Sequence, residues 1–186
     1  QWNFCLKATS EEFYHISVVH LGKNCNLIYE FIYFSLVWLV GCGGAEHARG
    51  NGIPVVVFPN SKSTPEGIST DELLNALREL RVDFIILAGY VKLIPVELVQ
   101  EYPKSILNIH PSLLPAFGGK GYYGLKVHKA AISSGARYSG PTVHFVDEHY
   151  GTGSTLAQRV VPVLANDTPE QLAARVLHEA TYLMLG

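Results

Sequence analysis

An asparagine and a histidine, Asn108 and His110, stand one residue apart at the end of a run of strand length. Because side chains alternate along a β-strand, the two lie on the same face if the strand continues to His110. An amide N–H and a protonated imidazole both donate hydrogen bonds, which suits stabilisation of a developing oxyanion. Pro111 and Pro115 restrict the backbone as it leaves the strand. On spacing alone, a purely structural histidine is the alternative.

The elements that must position this pair alternate between strand and helix from Gly43 onward. Helices are predicted to begin near Ser69, where Glu72 completes a capping box, and near Thr168, where Pro169 and Gln171 follow. The predicted strands are 54–58, 83–89, 105–109, 142–146 and 155–163, and further helices are predicted at 43–49, from 95 and at 125–134. This order predicts an α/β fold with a three-layer, mostly parallel (or mixed) twisted sheet and helices on both faces.

Ligands of such sheets bind beyond the carboxyl ends of the strands. Three segments are predicted to lie there, at 89–94, 108–115 and 147–153. They are far apart in the chain, yet this topology brings strand ends to one edge. We therefore expect the Asn108 and His110 pair to share its site with the other two segments.

Composition narrows the class of protein. The chain has 186 residues and a formal net charge of −2, which predicts one domain and argues against binding nucleic acid through a basic surface. Cys5, Cys25 and Cys42 are odd in number and widely spaced, so neither a disulfide framework nor a metal site is predicted. The uncharged run at 31–42 falls short of the roughly 20 residues that span a bilayer, and a buried segment is expected there.

The run NIHPSLLP at 108–115 resembles the motif of the folate-dependent formyltransferases, most closely the glycinamide ribonucleotide formyltransferases. Further similar segments are LAGYVKLI at 87–94, GPTVHFV at 140–146 and ARVLHE at 174–179. The resemblance covers roughly residues 43–182, while 1–42 match poorly, and a single Rossmann-like formyltransferase domain over 1–186 is expected. The segment GGKGYY resembles plant-type members, which implies a plastid or cytoplasmic location without a readable targeting peptide.

The resemblance implies transfer of a formyl group from 10-formyltetrahydrofolate to the amine of glycinamide ribonucleotide in de novo purine biosynthesis, without a metal. His110 would act as general acid and Asn108 as oxyanion donor and folate ligand. The folate pterin would be held by the backbone of Val91, Lys92, Leu93 and Ile94. The implied partners are these small molecules, with no nucleic acid or membrane, and a monomer or homodimer.

Two relatives within the superfamily fit less well. Methionyl-tRNA formyltransferases continue into a tRNA-contacting domain, whereas this chain reaches Gly186 without one and has no basic surplus. Formyltetrahydrofolate deformylases usually have a second histidine where Pro111 stands, together with a regulatory domain. Another folate-dependent formyltransferase or a deformylase stays an alternative.

The chain departs from the family pattern at two carboxylates. Gly151 stands where the family has the catalytic aspartate that would favour a charged His110. Asp147 and Glu148 are near in sequence, but solvated loop acids are their simpler interpretation. Ala180 stands where the family has a substrate-binding glutamate, next to Glu179.

A third departure concerns the phosphate-binding loop. Gly22 and Asn26 fit a loop that would hold the ribose phosphate on backbone N–H groups, while bulkier residues, among them Lys23, stand between them. We therefore expect the family fold and folate pocket with impaired transfer. A catalytically weak or inactive folate-binding paralogue is the competing class.

Overall fold

The computed structural model describes residues 15–19, 34–37, 49–50, 52, 55–62, 64–90, 93–148 and 153–185. The chain divides into two units, one comprising Thr9–Leu107 and the other including Asn108–Gly186. The boundary falls inside one strand, β5 (Ile106–His110), between Leu107 and Asn108. Each unit is described separately below.

The first unit carries strands β1 (His15–Val19), β2 (Phe34–Val37), β3 (Val55–Val57) and β4 (Phe84–Ala88), with helices α1 (Thr70–Glu79) and α2 (Val96–Glu101). Its sheet has the order β3-β2-β1-β4-β5. β1 pairs antiparallel with both β2 and β4, while β2 and β3 are parallel. The α/β class is confirmed, and the sheet is mixed.

Helix α1 begins as the sequence predicts. The Ser69 hydroxyl accepts a hydrogen bond from the backbone N–H of Glu72 at 3.3 Å, and the Glu72 carboxylate accepts one from the Ser69 N–H at 2.8 Å. This reciprocal pairing satisfies two N–H groups that a helix start leaves open. Leu73, Leu74 and Leu77 are buried, as their spacing predicts. Leu80 is the C-cap and is 40% exposed, because the helix ends before it.

The second unit carries β6 (Tyr138–Ser139), β7 (Thr142–Phe145), β8 (Thr155–Gln158) and β9 (Val161–Pro162), with helices α3 (Leu125–Ser133) and α4 (Pro169–Leu185). Its part of the large sheet has the order β5-β7-β8, with β7 and β8 antiparallel. β6 and β9 form a separate antiparallel pair. Helices α3 and α4 meet at a buried apolar cluster made of Ala131, Val161, Leu172 and Val176.

The prediction that residues 155–163 form one continuous strand is wrong. The strand breaks after Gln158, and its two halves join different sheets as β8 and β9. The Arg159 N–H donates to the carbonyl of Pro141 at the break. The apolar, β-branched composition is common to both halves, so it gives no sign of the change of sheet.

Helix α4 also begins with the predicted cap. The Thr168 N–H donates to the Gln171 side-chain oxygen at 2.8 Å, and the Gln171 N–H donates to the Thr168 hydroxyl at 3.2 Å. No helix within the described ranges is long and apolar enough to cross a membrane.

Candidate functional site

Strand β5 carries the candidate pair at its end. It extends to His110, so the condition for placing Asn108 and His110 on one face is met. The Nδ2 atom of Asn108 lies 3.1 Å from Nε2 of His144, which is on the neighbouring strand β7. The other ring nitrogen of His144, Nδ1, is 2.8 Å from the carbonyl oxygen of Phe145. Because a carbonyl only accepts, Nδ1 carries the proton, and Nε2 accepts from the Asn108 amide.

His110 is held by the turn that follows it. Its Nε2 lies 2.9 Å from the carbonyl oxygen of Phe117 and donates to it, which leaves Nδ1 as the second ring nitrogen. Burial lowers the pKa of His110, and the hydrogen bond to the Phe117 carbonyl opposes this in part. This direction is opposite to the one that a neighbouring carboxylate would produce. The neutral imidazole is therefore the favoured form.

A second buried histidine stands near His110. His128 on α3 is buried, and burial, followed by the charge of His110, lowers its pKa from 6.5 to about 4. Its Nδ1 has no hydrogen-bond partner among the described residues. His128 is thus neutral at physiological pH, and no role for it was predicted from the sequence.

The turn after β5 is fixed by a buried hydroxyl. Ser112 is fully buried and donates from Oγ to the carbonyl of Ala116 at 2.6 Å, with a longer 3.4 Å contact to that of Phe117. Phe117 has a φ of 54°, a left-handed conformation that is uncommon for a residue with a side chain. This conformation accompanies the hydrogen bond between the Phe117 carbonyl and His110.

The same turn is joined to β7 and β8 through Thr142, which is fully buried. The Thr142 hydroxyl donates to the Ser112 carbonyl at 2.6 Å and accepts from the Leu114 N–H at 3.0 Å. Gln158 donates from Nε2 to the Thr142 hydroxyl at 2.9 Å and to the Leu114 carbonyl at 3.0 Å. Thr142 and His144 lie two residues apart on β7, as Asn108 and His110 do on β5. This shared spacing is the sequence signal that could have indicated the roles of Thr142 and His144.

Most of the other predicted site residues lie outside the described residues: Gly22, Asn26, Val91, Lys92 and Gly151. Leu93 and Ile94 are described. The Leu93 carbonyl accepts a 3.1 Å hydrogen bond from the hydroxyl of Tyr90, and its side chain is 49% exposed. The Leu93 carbonyl is thereby bonded to a buried tyrosine within its own unit.

The acidic residues near positions 151 and 180 in the sequence have different surroundings. Glu148 is exposed and Asp147 is half-buried. Ala180 is buried on α4, whereas the Glu179 carboxylate is 2.9 Å from Nε of Arg159 and 3.5 Å from Nδ1 of His178. Glu179 is therefore engaged by Arg159, and it does not replace a carboxylate at position 180. Within the described part of the chain, no group of three or more His, Cys, Asp or Glu side chains could hold a metal ion.

The class of site is defined by three features of this α/β fold. The sheet is mixed, and an asparagine–histidine pair stands at the end of one of its strands. The turn that follows the pair is flanked by prolines and bonded to the next strands. A family model described as formyl transferase matches residues 40–185. The chain belongs to the formyl transferase family.

The relatives of this chain include plant and bacterial proteins. It is 70% identical over 138 residues to the chloroplastic phosphoribosylglycinamide formyltransferase of Vigna unguiculata. This match covers 74% of this chain and 44% of the Vigna protein. The Arabidopsis thaliana protein of the same name is 70% identical over 139 residues, covering 74% and 48%. The chain thus spans about half the length of these plant relatives. The crystal structure of phosphoribosylglycinamide formyltransferase from Brucella melitensis is 38% identical, with a TM-score of 0.67, covering 81% of this chain and 74% of that one.

Proposed function

We propose that this chain transfers a formyl group from 10-formyltetrahydrofolate to the amine of glycinamide ribonucleotide, a step of de novo purine biosynthesis. The observation that carries the proposal is the pair of Asn108 and His110 at the end of β5, with the Asn108 amide held by His144. The names of its plant and bacterial relatives support the substrate assignment. The plant relatives are chloroplastic, which supports a plastid location.

The folate co-substrate supplies the formyl group, and the chain orients the reactants and moves protons. Asn108 uses one N–H for His144 and donates the other to the oxyanion that develops as the amine attacks the formyl carbon. His110 acts through Nδ1, because its Nε2 proton is used by Phe117. As a neutral imidazole it first takes a proton from the attacking amine, and then delivers that proton as a general acid to the departing folate nitrogen.

The remaining predicted contacts complete the proposal. The backbone of Val91, Lys92, Leu93 and Ile94 holds the pterin, and Gly22 and Asn26 lie in the phosphate-binding loop. All partners are small molecules, and no metal takes part.

We further propose that transfer is impaired by Gly151 and Ala180, since two family carboxylates are missing. The lowered pKa of His110 agrees with a ring that has no carboxylate partner among the described residues. The same observation favours the second candidate, a folate-binding paralogue without turnover.

The test is a formyl-transfer assay with both substrates, run on this chain and on Gly151→Asp. Loss of a general acid–base partner costs about 10²–10⁴-fold in rate, so the variant should gain at least about 10²-fold in kcat. Gly50→Asp is the matched control, because Gly50 is exposed and a side chain there meets no neighbouring atom within 4 Å. No gain in Gly151→Asp contradicts the proposed impairment. Folate affinity without turnover in either protein favours the paralogue.

A further inference from the structure

His144 is a buried histidine whose ring is fixed at both nitrogens. Nδ1 donates to the carbonyl of Phe145 at 2.8 Å, and Nε2 faces the Asn108 amide nitrogen at 3.1 Å. A proton on Nε2 would place two donors against each other, so Nε2 has to be the acceptor in this arrangement. The ring is thus held in the tautomer that carries its proton on Nδ1.

This tautomer decides how the Asn108 amide is oriented. A free Asn side chain turns easily about its last torsion, whose energy profile is broad and roughly two-fold. An acceptor at Nε2 of His144 selects the orientation in which Nδ2, and not Oδ1, faces β7. Asn108 Oδ1 is then buried without a hydrogen-bond partner among the described residues. A buried acceptor without a partner is uncommon in folded proteins and needs a reason.

We propose that His144 is a positioning residue, which holds Asn108 so that its second N–H stays directed at the reactants. This rests on the proposed formyl transfer. When an amine attacks a formyl carbon, an oxyanion develops beside a nitrogen that still carries hydrogen. The free N–H of Asn108 is complementary to that oxyanion. His144 does not touch the reactants.

The position of His144 in the fold supports this role. On β7, Thr142 and His144 lie two residues apart, and both reach the segment that contains the candidate pair. Thr142 fixes the turn at Ser112 and Leu114, and His144 fixes Asn108. Pre-organised donors at a reaction centre do not have to reorient during the reaction, which is why such positioning raises kcat.

The first arm of the test reads the tautomer directly. In the full chain labelled with ¹⁵N in its histidines, ring nitrogen shifts at pH 7.5 should show His144 with a protonated Nδ1 and a hydrogen-bonded, unprotonated Nε2. Asn108→Ala should shift the Nε2 resonance toward that of an unbonded nitrogen and leave Nδ1 protonated. A proton on Nε2 in the unaltered chain, in either a neutral or a charged ring, overturns the proposal.

The second arm measures turnover in His144→Phe and His144→Gln. Phe keeps a ring and removes the acceptor, so kcat should fall by about 10–100-fold, with KM for both substrates changing less than about threefold. Gln returns an acceptor oxygen and should recover part of kcat, which a merely structural role would not predict. His178→Gln is the control, because His178 is exposed on α4. Unchanged kcat in His144→Phe overturns the proposal. Absence of turnover in the unaltered chain counts against the proposed function instead, and the tautomer measurement then decides the role of His144.

Discussion

The hydroxyl of Thr142 donates a 2.6 Å hydrogen bond to the carbonyl oxygen of Ser112, across 30 residues of the chain. It also accepts from the Leu114 N–H and from Nε2 of Gln158. One donor and two acceptor positions are all that a hydroxyl has, so this fully buried group is saturated. The Thr142 side chain therefore attaches the turn that follows His110 to β7.

Thr142→Val should destabilise the second unit with little change in volume. The change leaves the carbonyl of Ser112, the N–H of Leu114 and one Gln158 N–H without this partner. Each unsatisfied buried group costs about 1–3 kcal/mol, and partial relaxation is expected, so we predict a loss of about 2–3 kcal/mol in the free energy of unfolding. Urea unfolding measures it. Thr155→Val, at an exposed position of β8, is the control and should change stability by less than about 0.5 kcal/mol.

His128 should make the protein less stable in mild acid. Burial lowers its pKa from 6.5 to about 4, so between these values the unfolded chain takes up a proton that the folded chain does not. The stability that His128 provides is therefore full above pH 6.5 and is lost as the pH falls toward 4. Between pH 7.5 and 5 this amounts to about 2 kcal/mol.

The measurement is urea unfolding at pH 7.5 and pH 5. In His128→Gln the decrease in the free energy of unfolding between pH 7.5 and pH 5 should be smaller by about 2 kcal/mol. Val127→Ala, a buried and non-titrating neighbour on α3, should lower stability by the same amount at both pH values. An unchanged acid-induced loss in His128→Gln would show that this histidine is not responsible.

Asp167 should stabilise the start of α4 at neutral pH. Its carboxylate accepts two hydrogen bonds from Arg175, at 2.7 and 2.8 Å, and one from the Leu164 N–H, and its side chain is 3% exposed. The Arg175 hydrogen bonds lower the pKa of Asp167 from 3.8 to about 2. A lowered folded-state pKa provides stability above pH 3.8 that is lost as the pH falls through 2.

Asp167→Asn should therefore lower the free energy of unfolding by about 1–2 kcal/mol at pH 7. The value is small because solvent screens the partly exposed Arg175. At pH 2 the difference from the unaltered chain should shrink. Glu170→Gln, exposed in the first turn of α4, is the comparison. A penalty for Asp167→Asn that is equal at pH 7 and pH 2 would contradict an ionic origin.

Gly140 should not tolerate a side chain. Its φ is 146°, and a Cβ atom there would lie 1.8 Å from the carbonyl oxygen of Arg159. Gly140→Ala must therefore separate two backbones where β8 passes into β9, and we expect a loss above about 4 kcal/mol. At Gly135, where φ is 73° and the space is open, Ala should cost only about 1–2 kcal/mol. Thermal unfolding of the two variants tests the contrast, and equal losses would contradict it.

Local features of this protein were predictable from its sequence. The capping box of Ser69 and Glu72, the cap at Thr168 and the extension of β5 to His110 depend on residues within one turn or one strand. Side-chain period and hydrogen-bonding capacity are sufficient for such features.

What the sequence did not predict depends on pairs distant in the chain. His144 meets Asn108 across 36 residues, and Thr142 meets Leu114 across 28. Nothing in the local pattern of β7 indicates which strand it joins, so these two residues appeared only as part of a strand. The antiparallel direction of β1 was missed for a related reason, since the irregular pattern of residues 1–42 carries no sign of strand direction.

The burial of Ala180 bears on whether a carboxylate could be placed at this position. Ala180 is 5% exposed on α4, and the neighbouring Glu179 is engaged by Arg159. A glutamate placed at 180 alone would bring a charge into a closed position, and an unpaired buried charge is strongly unfavourable. Ala180→Glu thus requires compensating changes around α4 before a carboxylate can be accommodated there.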